Sequence, residues 1–246
     1  GLDGIGPPPA YFIKNIMLNK MGYTELDEIL SKSNTPMDVK LFEELAQIKD
    51  NIILDVRSEK EFIKSHIPNS IFIGLNGNFA PWVGALISDI NQPILLVVPK
   101  GRSEEAIIRL ARVGYEKSLG YLDGGINSWI GSGKSTEQIT SISAKEFELK
   151  FENNNSAVLD VRTKTEYNNL HLDGNHVQLL SLDSIHKKMG ELDVKKTYHI
   201  YCGGGYRSII AASILKRNGF SSLIDVSGGF AALKDTQLSM VAGKCS

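Results

Sequence analysis

In a chain of 246 residues with two cysteines, only one cysteine has a setting suited to chemistry. Cys202 follows the apolar run Tyr198–Tyr201 and precedes Gly203, Gly204, Gly205, Tyr206, Arg207 and Ser208, after which Ile209–Leu215 reads as a helix. A strand, a glycine loop and a helix start follow in order. Three glycines allow positive φ, so that successive N–H groups can converge on one centre. With the unpaired amides and positive end of the following helix, they favour a thiolate on the cysteine sulfur. Cys245, one residue from the end of the sequence, has no such context and is expected to be a frayed thiol.

The spacing narrows the reaction. Cys202 and Arg207 are separated by four residues, one fewer than in the loops of cysteine phosphatases and related arsenate reductases. The shorter ring suits one extra sulfur on the cysteine better than a tetrahedral oxyanion, so persulfide chemistry is expected ahead of phosphoryl transfer. A third possibility is a non-catalytic module that records persulfide on Cys202.

The elements that must hold this loop occur twice. Ile53-Leu54-Asp55-Val56-Arg57 returns as Val158-Leu159-Asp160-Val161-Arg162, and at the same shift Glu61 falls on Glu166, His66 on His171 and Arg102-Ser103 on Arg207-Ser208. Gly124-Gly125 and Gly228-Gly229 match one residue out of register. Such colinearity indicates tandem duplication. Each unit alternates strand-length apolar runs (52–56, 71–73, 94–98 and 118–122; 157–161, 176–179, 198–201 and 222–226) with helical segments (38–47 and 103–113; 144–151, 184–189 and 208–217). The pattern predicts an α/β fold in which each unit is a small parallel sheet with helices on both faces. The expected division is an extension over 1–30, a first unit over 31–131, a linker over 132–137 and a second unit over 138–246.

The first unit reads Leu96-Val97-Val98-Pro99-Lys100-Gly101-Arg102-Ser103-Glu104-Glu105 where the second has its loop. Counting back from Arg102 puts Val97 at the nucleophile's place; allowing a shorter loop puts Pro99 there. Neither can carry sulfur, Pro99 lacks an N–H, and the two glutamates occupy the helix end that an anion would use.

These motifs resemble the rhodanese (sulfurtransferase) family. The resemblance rests on Asp-Val-Arg-x-x-x-Glu-Phe/Tyr in both units, His66-Ile67-Pro68-Asn69-Ser70, the Cys202–Ser208 loop, and Gly-Gly-x-x-x-Trp ending at Trp129, and it spans about residues 35–238. It implies two rhodanese-like domains, the first degenerate. In the second, Cys202 would take sulfane sulfur from thiosulfate or a persulfide, hold it as a persulfide cradled by Gly203–Ser208, and pass it to a thiol, sulfite or cyanide-type acceptor. Arg207 is implied to shape the loop or bind anionic substrate. The second unit departs from the pattern at Asp173, where proline is usual, and lacks the tryptophan after Gly229. Pro8-Pro9-x-Tyr11-Phe12 near the start, followed by Asn15 and Gly22, is similar to the tail of the metallo-β-lactamase-like domain of persulfide dioxygenase–rhodanese fusions. That similarity implies an upstream dioxygenase domain holding non-haem iron.

Other features bound the partners. Lys+Arg 27 against Asp+Glu 28 gives a net charge of -1, without the basic footprint of a nucleic-acid binder. No apolar run approaches the roughly 18–20 residues of a membrane span, and a cytoplasmic protein without cofactor in this chain is expected. The five histidines show no ligand spacing, so no metal site is expected. Asp160, Arg162 and Glu166, repeated as Asp55, Arg57 and Glu61 in the unit without a thiol, read as a structural ion-pair set. Small sulfur compounds are the expected substrates, and a homo-oligomer is possible on this reading.

Overall fold

A computed structural model describes residues 26–151 and 157–243; the N-terminal extension up to residue 25 and Cys245 lie outside the described residues. Two compact units form, the second comprising Glu59–Ser65 together with the chain from Glu137 onward.

In the first repeat the elements run α1 (Leu26–Ser33), β1 (Pro36–Met37), α2 (Val39–Ala46), β2 (Ile52–Asp55), α3 (Glu59–Lys64), β3 (Ile71–Phe72), α4 (Phe79–Leu86), β4 (Ile94–Val97), α5 (Ser103–Ala111), β5 (Ser118–Leu122) and α6 (Gly125–Gly131). The second contains β6 (Thr140–Ile142), α7 (Ala144–Phe151), β7 (Ala157–Asp160), α8 (Lys164–Asn169), β8 (His171–Leu172), β9 (Val177–Leu179), α9 (Ile185–Lys188), β10 (Tyr198–Tyr201), α10 (Tyr206–Arg217), β11 (Leu223–Val226), α11 (Gly229–Leu233) and β12 (Met240–Val241). Each unit has a five-stranded sheet, ordered β1-β5-β4-β2-β3 and β6-β11-β10-β7-β9, and every pairing in both is parallel. The central strands β2, β4 and β10 are buried along their whole length, as strands covered on both faces must be. The edge strands β1 and β6 escape a reading by apolar runs because they are two or three residues long and partly exposed.

Both units carry the same internal lock. The Arg57 guanidinium donates to Asp55 through Nε (2.9 Å to Oδ1) and Nη2 (2.5 Å to Oδ2), and Arg162 does the same to Asp160 at 2.9 and 2.6 Å. These residues are all buried, so each charge depends on its partner. Glu166, grouped with this set in the sequence, lies elsewhere: it closes a capping box with Thr163 at the start of α8 and pairs with Arg207. Trp129 fills the core of the first unit and donates its Nε1 to Ser135 O, while Leu233, fully buried, stands at the matching place in the second. Ser135 and Lys134, the latter paired with Glu43, are thus tied down within the stretch expected to be linker.

Candidate active site

The carboxyl ends of parallel strands are where such folds present loops for chemistry, and β10 ends one residue before Cys202. The cysteine is 1% exposed, and its Sγ accepts a hydrogen bond from the Gly205 N–H at 3.1 Å. Gly205 has φ 106°, a conformation open to glycine, and its turn aims that amide back at sulfur. The other two glycines differ from expectation. Neither takes positive φ; a Cβ on Gly204 would point into open space, whereas one on Gly203 would lie 2.9 Å from Arg207 Nη2. Gly203 leaves room for the arginine rather than supplying a turn. The helix also begins earlier than the sequence suggested, so Tyr206, Arg207 and Ser208 form the first turn of α10.

A second glycine pair fixes the cysteine's backbone. Cys202 O accepts from Phe230 N at 2.6 Å, and Gly203 O accepts from Ala231 N at 3.0 Å, joining the loop to the start of α11. Gly229, at φ 56°, makes this approach possible: a Cβ there would stand 2.3 Å from Cys202 O. Gly228-Gly229 is legible in the sequence as a repeat mark, but its contact with Cys202 is not.

Around the sulfur the polar groups are paired. Arg207 donates from Nη1 and Nη2 to the two oxygens of Glu166, each at 2.7 Å. The arginine, helped by the Thr163 amide and hydroxyl, pulls the Glu166 carboxyl down to about 2, and Glu166 in turn raises the Arg207 guanidinium. Ser208 Oγ lies 3.7 Å from Cys202 Sγ and 2.7 Å from Asp225 Oδ1; Ser141 Oγ donates to Asp225 Oδ2 at 2.9 Å. Burial raises the Asp225 carboxyl, while these two hydroxyls oppose the shift. Asp225, Ser141 and Glu166 belong to the site's surroundings, and sequence reasoning assigned none of them there. Asp225 lies in a short strand read only for its apolar residues. Two of the histidines have these surroundings: His171 Nδ1 meets Tyr167 O at 2.8 Å, and neither ring nitrogen of the buried His199 has a hydrogen-bond partner. Among the described residues no group of three or more His, Cys, Asp or Glu is placed to hold a metal ion, and no helix is long and apolar enough to cross a membrane.

The first unit's loop differs in register from both alternatives drawn from the sequence. Asp55 pairs with Val97 and Asp160 with Tyr201, so Val98, not Val97 or Pro99, occupies the place of Cys202. The Gly125 Cβ position confirms this, facing Val98 O at 3.6 Å as that of Gly229 faces Cys202 O. Ser103 follows Val98 by five positions and Ser208 follows Cys202 by six, so the loop is one residue shorter. Arg102 turns to Glu105 of its own helix at 2.7 and 2.9 Å and to Asn76.

The family model for the rhodanese-like domain matches residues 38–132 and again 143–236. Among curated proteins, the chain is 33% identical over 99 residues to YrkF of Bacillus subtilis, described as a candidate sulfur carrier protein, covering 40% of this chain and 52% of that protein. It is 37% identical over 71 residues to the tRNA sulfurtransferase of Actinobacillus succinogenes, covering 28% and 15%. The chain thus spans about half the length of the first and a small part of the second. Among solved structures, a rhodanese-like domain protein from Staphylococcus aureus matches at 28% identity and TM-score 0.38, over 44% of this chain and all of that one. Thiosulfate sulfurtransferase from Pseudomonas aeruginosa matches at 20% identity and TM-score 0.38, over 85% and 44%. Two matches of one family model cover most of the sequence, one on each sheet, and the chain belongs to the rhodanese family as a tandem of two rhodanese-like domains.

Proposed function

We propose that this chain is a sulfurtransferase that carries sulfane sulfur on Cys202. The carrying observation is the Gly205 N–H directed at Sγ from 3.1 Å at the junction of β10 and α10. In the first half-reaction the Cys202 thiolate attacks the outer sulfur of thiosulfate or a persulfide. A bond forms between Sγ and that sulfur, the donor's S–S bond breaks, and the electron pair leaves with sulfite or a thiolate. In the second, a thiol, sulfite or cyanide-type acceptor attacks the outer sulfur of the Cys202 persulfide and restores the thiolate. The amide and the positive end of α10 favour an anion at sulfur in both states.

The first domain contributes no thiol on this reading, since Val98 stands at the reacting position, and it serves packing or contact with another domain. The N-terminal Pro-Pro-x-Tyr-Phe segment supports, as a further part of the proposal, fusion to a metallo-β-lactamase-like persulfide dioxygenase. Mass spectrometry after treatment with thiosulfate or a small persulfide tests the central reading. One added sulfur is expected on Cys202, with turnover lost in Cys202→Ser and nearly intact in Cys245→Ser. Equal loss in both variants would replace a single nucleophile with a redox pair.

A further inference from the structure

Below the nucleophile lies a carboxyl group that sulfur transfer, as written above, does not use. Asp225 is 2% exposed in β11, and its oxygens meet two hydroxyls, Ser208 at 2.7 Å and Ser141 at 2.9 Å. No Lys, Arg or His among the described residues pairs with it. A carboxylate so deep and without a cation is heavily penalised and is better placed to hold a proton. The raised carboxyl noted above agrees with this.

Ser208 links that group to the sulfur, 3.7 Å from its Oγ. The hydroxyl has one hydrogen. When Asp225 is ionised it takes that hydrogen, leaving an Oγ lone pair to face the thiol S–H. When Asp225 carries a proton it donates to Oγ, and the hydroxyl hydrogen, released from the carboxylate, turns to a thiolate in preference to the neutral Gly205 O that lies 3.0 Å from Oγ. These are two arrangements of one proton.

The arrangement is not required by the fold. In the first unit, strand register places Tyr121 where Asp225 stands and Pro36 where Ser141 stands, beside the Val98 that replaces Cys202. The acid and its second hydroxyl occur in the unit that has the thiol.

We infer that Asp225 is a positioning residue for Cys202, which through Ser208 takes up the proton leaving the thiol and returns it when the sulfur has been passed on. The inference rests on the sulfur-transfer reading. In the forward step the Cys202 S–H bond breaks as an O–H bond forms on Ser208, and the original Ser208 O–H breaks as one forms on Asp225 Oδ1. Thiol and carboxylate become thiolate and carboxylic acid, with no oxidation. The charged and titratable groups on the neighbouring elements do not compete for this proton. Arg207 on α10 is held by Glu166, and Lys216 and Arg217 lie more than two turns along that helix from Ser208. On β10, Tyr198 shares the face of Asp225 and accepts from Asp193 N, while His199 and Tyr201 alternate to the opposite face; β6 presents Ser141.

The test is the pH dependence of Cys202 alkylation by iodoacetamide in the full chain, read by mass spectrometry on the Cys202 peptide. A proton shared by two groups gives reactivity that rises in two steps with a plateau between, because the first proton lost leaves a mixture of thiol and thiolate. The expected result is two steps in the wild type, one in Asp225→Asn, loss of the lower step in Ser208→Ala and its return in Ser208→Thr. One step in the wild type, or two in Asp225→Asn, overturns the inference. Should Asp225→Asn not fold, the serine pair decides: a lower step undiminished in Ser208→Ala also overturns it. Parallel loading with inorganic polysulfide separates the two readings, since a wild type that never gains sulfur defeats sulfur transfer whatever the alkylation profile shows.

Discussion

Arg207 and Glu166 face each other through two hydrogen bonds of 2.7 Å directly above Gly203, so the arginine of the loop reaches the site with its charge already matched. A bidentate pair of this kind is strong and directional. It leaves little unbalanced charge to attract a dianionic donor such as thiosulfate.

Glu166→Gln should therefore release Arg207 and raise kcat/KM with thiosulfate by roughly tenfold, the low end of what a charge-assisted hydrogen bond of about 1.5–3 kcal/mol supplies. Steady-state kinetics with thiosulfate and a fixed acceptor check this. An unchanged or lower value would show that Arg207 does not contact the donor.

Stability should decline in two windows as pH falls. Burial lowers His199 from 6.5 to about 4, so the unfolded chain takes its proton first; its contribution is complete above 6.5 and is lost between 6.5 and 4. The Arg207 pair lowers Glu166 from 4.5 to about 2, a contribution complete above 4.5 and lost between 4.5 and 2. Urea unfolding at a series of pH values should show His199→Leu flattening the upper window and Glu166→Gln the lower. Unaltered slopes in these variants would assign the acid sensitivity elsewhere.

The glycines should divide by what a Cβ would meet. Gly229→Ala places one 2.3 Å from Cys202 O at positive φ and should cost about 1–3 kcal/mol, with loss of Cys202 reactivity. Gly204→Ala enters open space at negative φ and should leave both near wild type. Thermal denaturation and alkylation rates measure the difference; similar melting of the two variants would contradict the assigned geometry.

Restoring sulfur to the first unit should fail. Val98→Cys in a Cys202→Ser, Cys245→Ser chain supplies a thiol but leaves Pro99 without an amide and a loop one residue short. No sulfur transfer is expected, and turnover above the thiol-free parent would show that position alone suffices.

Several elements were legible because their causes are local. Ile52–Asp55 and Tyr198–Tyr201 announce themselves as buried parallel strands through continuous apolar runs, and Cys202 through glycine and helix context. What escaped depends on long-range approach. Asp225 meets Ser208 only once β11 lies beside β10, and Gly229 meets Cys202 O only when α11 caps the loop. Val98 was missed for a related reason: loop length obscured the register, which strand pairing fixes residue by residue. Arg207 was identified, but its partner Glu166 lies 41 positions away on another helix.

A duplicated domain also serves as its own control. The Asp55–Arg57 and Asp160–Arg162 locks persist whether or not a thiol is present, so they answer to folding, and a variant such as Asp160→Asn should be judged by melting before turnover. Asp225 and Ser141 have no counterpart in their sibling unit, where Tyr121 and Pro36 form a sheet of the same order. Transplanting the site would accordingly mean exchanging residues on two neighbouring strands as well as a loop, which sets the scale of the change separating the two halves of this chain.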